Sequence, residues 1–147
     1  MYRKICVAVD GSESSFDAVK TAANLALKVS AELVVYHVIR NMKVPDELKR
    51  FVKNNSLERM RHEALEGAGK EIVAHAIGVA QEQGVAEPQT DILMGDPASA
   101  VAKAASQQDC DLIVVGTRGL GQVEGMLIGS MSRKLTSISK ISVLVVK

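Results

Sequence analysis

Short apolar runs alternating with segments of helical periodicity constrain the fold of this chain more than any other feature. Ile5 to Val9 is continuously apolar and ends in Asp10-Gly11-Ser12, a turn signal, so it reads as a strand buried on both faces and central in its sheet. Phe16, Val19, Ala23, Ala26 and Leu27 then recur at helical spacing, with Ser12 or Ser14 available as N-cap. Leu33 to Ile39 reads as a second strand. The stretch from Arg40 to Asn55, with Pro45 and basic residues at 43, 49, 50 and 53, has room for one short helix. From Ser56 to about Gln83, apolar residues at 57, 60, 64, 65, 68, 72, 76, 79 and 80 predict a long amphipathic helix, despite Gly67, Gly69 and Gly78, with Gly84 ending it. Pro88 to Met94 reads as a weaker strand. Asp96-Pro97 then supplies an N-cap and a first-turn proline for a helix through Val101, Ala102 and Ala105. Leu112 to Val115 is a strand, Ser130 to Ser137 a helix and Val143 to Val146 the last strand.

Strands alternating with helices predict right-handed crossovers, a parallel sheet and helices on both faces. With 147 residues and no internal repeat or linker, the chain is expected to form a single domain over 1–147. Ligands of such sheets bind beyond the carboxyl ends of the strands, where the winding reverses. The end of the first strand near Asp10 and of the fourth near Gly116 are therefore the places to look.

Composition narrows the chemistry. Eighteen Lys and Arg against seventeen Asp and Glu leave a net charge of +1, and there are two Tyr, two Phe and no Trp. That balance gives neither an electrostatic footprint nor stacking platforms for nucleic acid. Cys6 and Cys110 show no zinc or Cys-x-x-Cys spacing and indicate no disulfide framework, so both read as small buried hydrophobes. The apolar run after Met1-Tyr2-Arg3-Lys4 is too short for a signal peptide, and no apolar stretch approaches the ~20 residues of a membrane span. No membrane insertion and a cytoplasmic location are expected.

Gly116-Thr117-Arg118-Gly119, nine residues, and Gly129-Ser130 lie between the fourth strand and the helix after it. Glycines bring backbone N–H groups close to an anion, and a helix N-terminus adds unpaired donors with a partial positive charge, so the segment suits a phosphate cradle. Two other phosphate motifs are excluded by pattern. Gly69-Lys70 has Ala64 where a P-loop needs its first glycine and Glu71 where it needs Ser or Thr. A dinucleotide fingerprint read from Gly119 and Gly121 meets Glu124 at its third glycine. His62-Glu63 lacks the second histidine of a zinc-protease motif; His62 and His75 read as surface or helix-packing residues, and His37 as a strand residue turned toward either a helix or the nucleotide, with packing the favoured role and a functional one the rival. The basic stretch from Lys43 to Lys53 reads as a solvated face, with a lid or partner-docking role as the rival.

With these motifs the whole chain resembles the universal stress protein family, in its ATP-binding subclass. The resemblance is carried by Val7-Ala8-Val9-Asp10-Gly11-Ser12, Gly95-Asp96-Pro97, Asp111 to Gly119, Gly129-Ser130-Met131-Ser132 and Val143 to Val146. Ser142 stands where the family commonly has proline. The resemblance implies an open three-layer α/β sandwich with a five-stranded parallel sheet, Rossmann-like and akin to the adenine nucleotide α-hydrolases. It implies ATP across the strand ends, with the backbone around Ala8 and Val38 at adenine, and Asp10 at ribose and phosphates through Mg2+ as its metal residue. Gly116, Arg118, Gly119, Gly129 and Ser130 would hold ribose and phosphates, and Met131 and Ser132 would complete the helix N-terminus. Plainer roles are open: Asp10 as a cap of the first helix or its turn, Ser130 as an N-cap, and Arg118 as a solvated side chain.

The functional expectation is an ATP-binding regulatory or stress-response protein, whose nucleotide state controls oligomerisation or contact with a target protein such as a membrane transporter. Without a convincing general base or Walker-type lysine, any hydrolysis is expected to be slow and no catalytic residue is assigned. The alternatives are a slow ATPase or nucleotide-dependent transferase or ligase, and a nucleotide-free interaction protein. A Ser-Gly-Gly-x-Asp-Ser loop, which those transferases and ligases place after the first strand, is replaced by Asp10-Gly11-Ser12-Glu13-Ser14-Ser15. The family also implies a homodimer through Val143, Leu144, Val145 and Val146, with a tetramer as the further assembly. The apolar terminal run supports this, since an uncovered edge strand invites pairing with another chain.

Overall fold

Alternate residues of the central strands are apolar on both sides, so the sheet is covered twice. The computed structural model describes residues 1–41, 45–51, 56–117 and 128–147. Its elements are β1 (Lys4–Val9), α1 (Glu13–Val29), β2 (Glu32–Ile39), α2 (Asp46–Lys49), α3 (Ser56–Gln83), β3 (Gln89–Met94), α4 (Pro97–Gln107), β4 (Leu112–Gly116), α5 (Ser130–Ile138) and β5 (Ser142–Val146). The described strands form one five-stranded sheet in the order β3-β2-β1-β4-β5. Every pairing is parallel, with Val9 opposite His37, Val7 opposite both Val35 and Val114, and Gly116 opposite Val146. This is the open α/β architecture that the alternation predicts.

Two cores follow from the pleat. Ile5, Val7, Val9, Leu33, Val35, Leu112 and Val114 face α1 and α3, where alanines at 18, 22, 23 and 26 let α1 lie close to the sheet. Cys6, Val34, Tyr36, Ile113 and Val115 face α4 and α5. The winding runs from β1 outward through β2 to β3, returns over α4 to β4 beside β1, and ends at β5. The reversal therefore falls between β1 and β4, so the segments after Val9 and after Gly116 leave neighbouring strand ends.

Local signals account for the helix ends. Ser12, not Ser14, caps α1 by accepting from the Ser15 amide at 3.2 Å, and Asp96 caps α4 by accepting from the Ser99 amide at 3.1 Å, with Pro97 following it. Gly84, at φ +110°, follows the end of α3. The amphipathic reading of α3 holds only in part. Val73, Ala76, Val79 and Ala80 are buried, but Leu57, Met60, Ala64 and Ala68 are exposed. Burial is concentrated in the C-terminal half of the helix, which packs against α1 and the sheet. His62 is exposed, and His75 meets Phe16 edge-to-face at 4.3 Å. Among the described residues no helix is long and apolar enough to cross a membrane.

Candidate functional site

The carboxyl end of β1 turns sharply at Asp10. One carboxylate oxygen, Oδ1, accepts from the Ser12 amide at 2.9 Å and from the Ser12 hydroxyl at 2.6 Å. Gly11 between them takes φ +92°, and a side chain there would press on Ile72 of α3. Behind the turn, buried Ser15 donates its hydroxyl to the Ser12 carbonyl at 2.8 Å. Asp10 thus organises the turn while Ser12 caps the helix, and the half-buried carboxylate sits at the mouth of the sheet.

Beside it, β4 ends at Gly116 and the chain re-enters the described structure at Ile128. The Ser132 hydroxyl donates to the Gly116 carbonyl at 2.7 Å, and the Gly129 amide donates to the Thr117 carbonyl at 2.6 Å. These two bonds pin the start of α5 over the end of β4. The N-cap of α5 is Gly129, which has no side chain to offer; Ser130 is the first helical residue and not the cap. The contrast with α1 and α4 is informative, since Ser12 and Asp96 fill those N-termini with side-chain oxygens. Among the described residues no side chain caps the N-terminal amides of α5, which leaves donors and a partial positive charge directed at the strand ends.

Ala8, Val38 and Met131 border the same turn. All three are half-buried and pack against the core between the sheet and α4/α5. Ala8 pairs with Tyr36 on β2, and Val38 lies one residue beyond the Val9–His37 pair, level with Asp10. An apolar floor therefore flanks the Asp10 turn on the side of the sheet occupied by α5. Arg118 and Gly119 lie outside the described residues, as do Lys43 and Lys53 of the basic stretch. Among the described residues no group of three or more His, Cys, Asp or Glu side chains gathers into a metal site.

Two features escape a reading by motif. Gly116 has a packing reason of its own: a Cβ there would collide with the Ser14 side chain and approach the Ser14 carbonyl oxygen to 2.7 Å. His37 points away from the candidate site, with Nδ1 2.9 Å from the Val9 carbonyl and its ring against Gly69 of α3. No short-range signal marks either contact, because both join elements distant in sequence.

The universal stress protein family model matches residues 1–147. The chain belongs to the universal stress protein family. It is 33% identical over 150 residues to the universal stress protein YxiE of Bacillus subtilis, covering 100% of both chains. Among solved structures it is similar to the universal stress protein UspA from Lactobacillus plantarum, with TM-score 0.83 and 22% identity over 99% of this chain and 98% of that one. It is also similar to a universal stress protein crystallised in complex with cAMP, with TM-score 0.70 and 26% identity over 99% of this chain and 97% of that one. The sheet order and the double helical cover are thus those of universal stress proteins.

Proposed function

We propose that this universal stress protein binds an adenine nucleotide, ATP with Mg2+, across the carboxyl ends of β1 and β4. The observation that carries the reading is the open N-terminus of α5, pinned beside the Asp10 turn and capped by a glycine. Phosphates meet unpaired amides and the positive end of the helix there, while the floor of Ala8, Val38 and Met131 suits the flat apolar face of a base. Complex formation of a 26% identical relative with cAMP supports an adenine nucleotide as the ligand class.

Mg2+ usually keeps several waters and takes one or two carboxylates plus substrate phosphates, so a single carboxylate such as Asp10 beside bound phosphates fits its chemistry. Phosphoryl transfer needs a positioned nucleophile and transition-state charge stabilisation. Backbone donors dominate the cradle, which suits holding an anion more than turning it over. The proposed role is therefore regulatory: nucleotide state would govern assembly through β5 or contact with a target protein.

Calorimetry with MgATP, ADP and cAMP tests the binding, alongside analysis of nucleotide co-purified with the protein. Asp10→Asn keeps an oxygen for the Ser12 donors and removes the charge, so it should weaken MgATP by about 1–3 kcal/mol while sparing the fold. Gly129 has φ −68°, open to any residue, so Gly129→Asp should fold and place a carboxylate over the α5 amides, lowering affinity more than about tenfold. Absence of binding by all three nucleotides, or full affinity in Gly129→Asp, overturns the reading. A pull-down with and without ATP tests the regulatory role; the same partners in both overturns it.

A further inference from the structure

Two glycines of α3 find no use within their own chain. A glycine inside a helix costs about 1 kcal/mol relative to alanine. Gly69 makes room for the His37 ring, but a Cβ on Gly67 or Gly78 would meet nothing within 4 Å among the described residues. The two stand eleven residues apart, about three helical turns, so they share a face of the helix.

That face extends along most of α3. At roughly 100° per residue, Leu57, Met60, Ala64, Gly67, Ala74 and Gly78 fall in one stripe, turned away from buried Ala76 and Ala80. Its N-terminal end carries uncovered bulk: Leu57 is 51% and Met60 64% exposed. Its C-terminal end is hollow. There α3 and α1 leave a groove of about 620 Å³, with Ala74, His75 and Gly78 on one wall and Phe16 on the other. Glu63 and Lys70 lie along one flank of the stripe, one before Gly67 and one after it. Both are exposed, and neither enters an ion pair among the described residues. Apolar bulk at one end, a groove at the other, small residues between them and opposite charges about the centre make a surface complementary to itself when turned end for end.

We propose that the exposed face of α3 is a self-association surface, on which two copies of this chain pair their α3 helices antiparallel about a two-fold axis beside Gly67.

Setting Glu63 against the partner's Lys70 fixes the register, and the two-fold repeats the contact with the roles exchanged. The axis then passes between positions 66 and 67. Leu57 stands level with position 76 of the other helix and enters the groove between the partner's Ala74 and the partner's Gly78, with Met60 about one turn nearer the axis. Ala64, Gly67 and Ala68 meet around the axis, where small side chains let the helices approach to the short end of the roughly 8–10 Å range for packed pairs.

The symmetry selects a second copy as the occupant. A different protein would leave the matching of bulk, groove and charge about one point without a cause. A lipid surface needs a continuous apolar face flanked by basic residues, and Glu63 and Glu71 interrupt this one. The surface is also separate from β5: α3 packs over β2 and β1, whereas β5 is the edge strand beyond β4. The two contacts can therefore coexist. One helix face with two exposed ion pairs makes the α3 contact the weaker, forming above the micromolar range.

Sedimentation equilibrium of the full chain at low ionic strength, from micromolar to near-millimolar concentration, tests the pairing. Expected is a twofold rise in mass over that range. Glu63→Lys or Lys70→Glu alone turns two attractive pairs into two repulsive ones and should raise the dissociation constant about tenfold, and the double reversal should restore it. Leu57→Lys should abolish the rise. All three positions are exposed, so the variants should keep the wild-type circular dichroism and melt. Gly67→Cys, beside the axis, should give a disulfide-linked dimer on mild oxidation, and Arg59→Cys, on another face of α3, should not; the native cysteines are buried. A mass that stays constant over the range, a rise that neither single reversal weakens, or a double reversal no stronger than the singles overturns the proposal. Equal cross-linking at positions 59 and 67 overturns it as well.

Discussion

Gly116 at the end of β4 lies directly under the backbone of Ser14 in the first turn of α1, so close that an added Cβ would stand 2.7 Å from the Ser14 carbonyl oxygen and 2.8 Å from its carbon. A residue that reads from sequence as part of a phosphate cradle thus also sets how near α1 approaches the sheet. Because backbone and not a flexible side chain blocks the space, Gly116→Ala should destabilise the fold by about 1–3 kcal/mol. Urea denaturation with unchanged slope measures it. A neutral variant would mean that α1 can shift at no cost.

The glycines of α3 divide by surroundings. A Cβ on Gly67 or Gly78 would meet nothing within 4 Å among the described residues, whereas one on Gly69 would meet His37 Cδ2 at 2.9 Å, on a ring tied to Val9. Gly67→Ala and Gly78→Ala should each stabilise by up to about 1 kcal/mol through helix propensity. Gly69→Ala should lose that gain and destabilise. Thermal melts of the three variants side by side check the ordering.

Asp96 caps α4 and is held at 2.8 Å by Lys134 of α5; the Lys134 bond first, then the Ser99 amide, draws its carboxyl down to about 2. A folded-state value below the unfolded one, near 3.8, means that the contribution is complete above about pH 4 and is lost as pH falls towards 2. Both side chains are 50% exposed, so the pair is screened and Lys134→Ala should cost less than about 1 kcal/mol, less still in high salt. NMR titration of the Asp96 carboxyl should show its midpoint rising towards the ordinary value in that variant.

The two sheet edges differ in protection. β3 carries Gln89 and Asp91, while β5 reads Ser-Val-Leu-Val-Val, with Leu144 at 36% exposure. The Val146 carbonyl accepts from the Thr117 amide, so alternation along the strand turns the Val145 amide outward, to the free edge. Val145→Pro should therefore spare the ladder to β4 and remove an edge donor. If the chain pairs through β5 as proposed, light scattering should show a dimer for wild type and a monomer for this variant; a wild type that stays monomeric at micromolar concentration with ATP refutes the pairing.

Much of the architecture was legible in the residues themselves. The apolar runs at Ile5–Val9 and Leu112–Val115 could satisfy their side chains only with cover on both faces, and Ser12, Asp96-Pro97 and Gly84 mark helix ends through local backbone chemistry. The rule that ligands bind beyond strand ends where the winding reverses pointed to the ends near Asp10 and Gly116, and the observed order β3-β2-β1-β4-β5 sets those ends side by side. Periodicity overstated the buried face of α3, because an apolar stripe records capacity for burial and only the elements that pack against it decide how much of it is used.

What the tertiary structure alone decided are the contacts between distant segments. Spacing could not show that Ser14 presses on Gly116, that Gly69 makes room for His37, or that the Tyr36 hydroxyl stands 3.7 Å from the Cys110 sulfur. The sequence determined which elements form and which faces they bury, since those depend on neighbours a few residues away. Which side chains meet depends on register and on the angle at which helices settle, quantities set only when the whole chain packs at once.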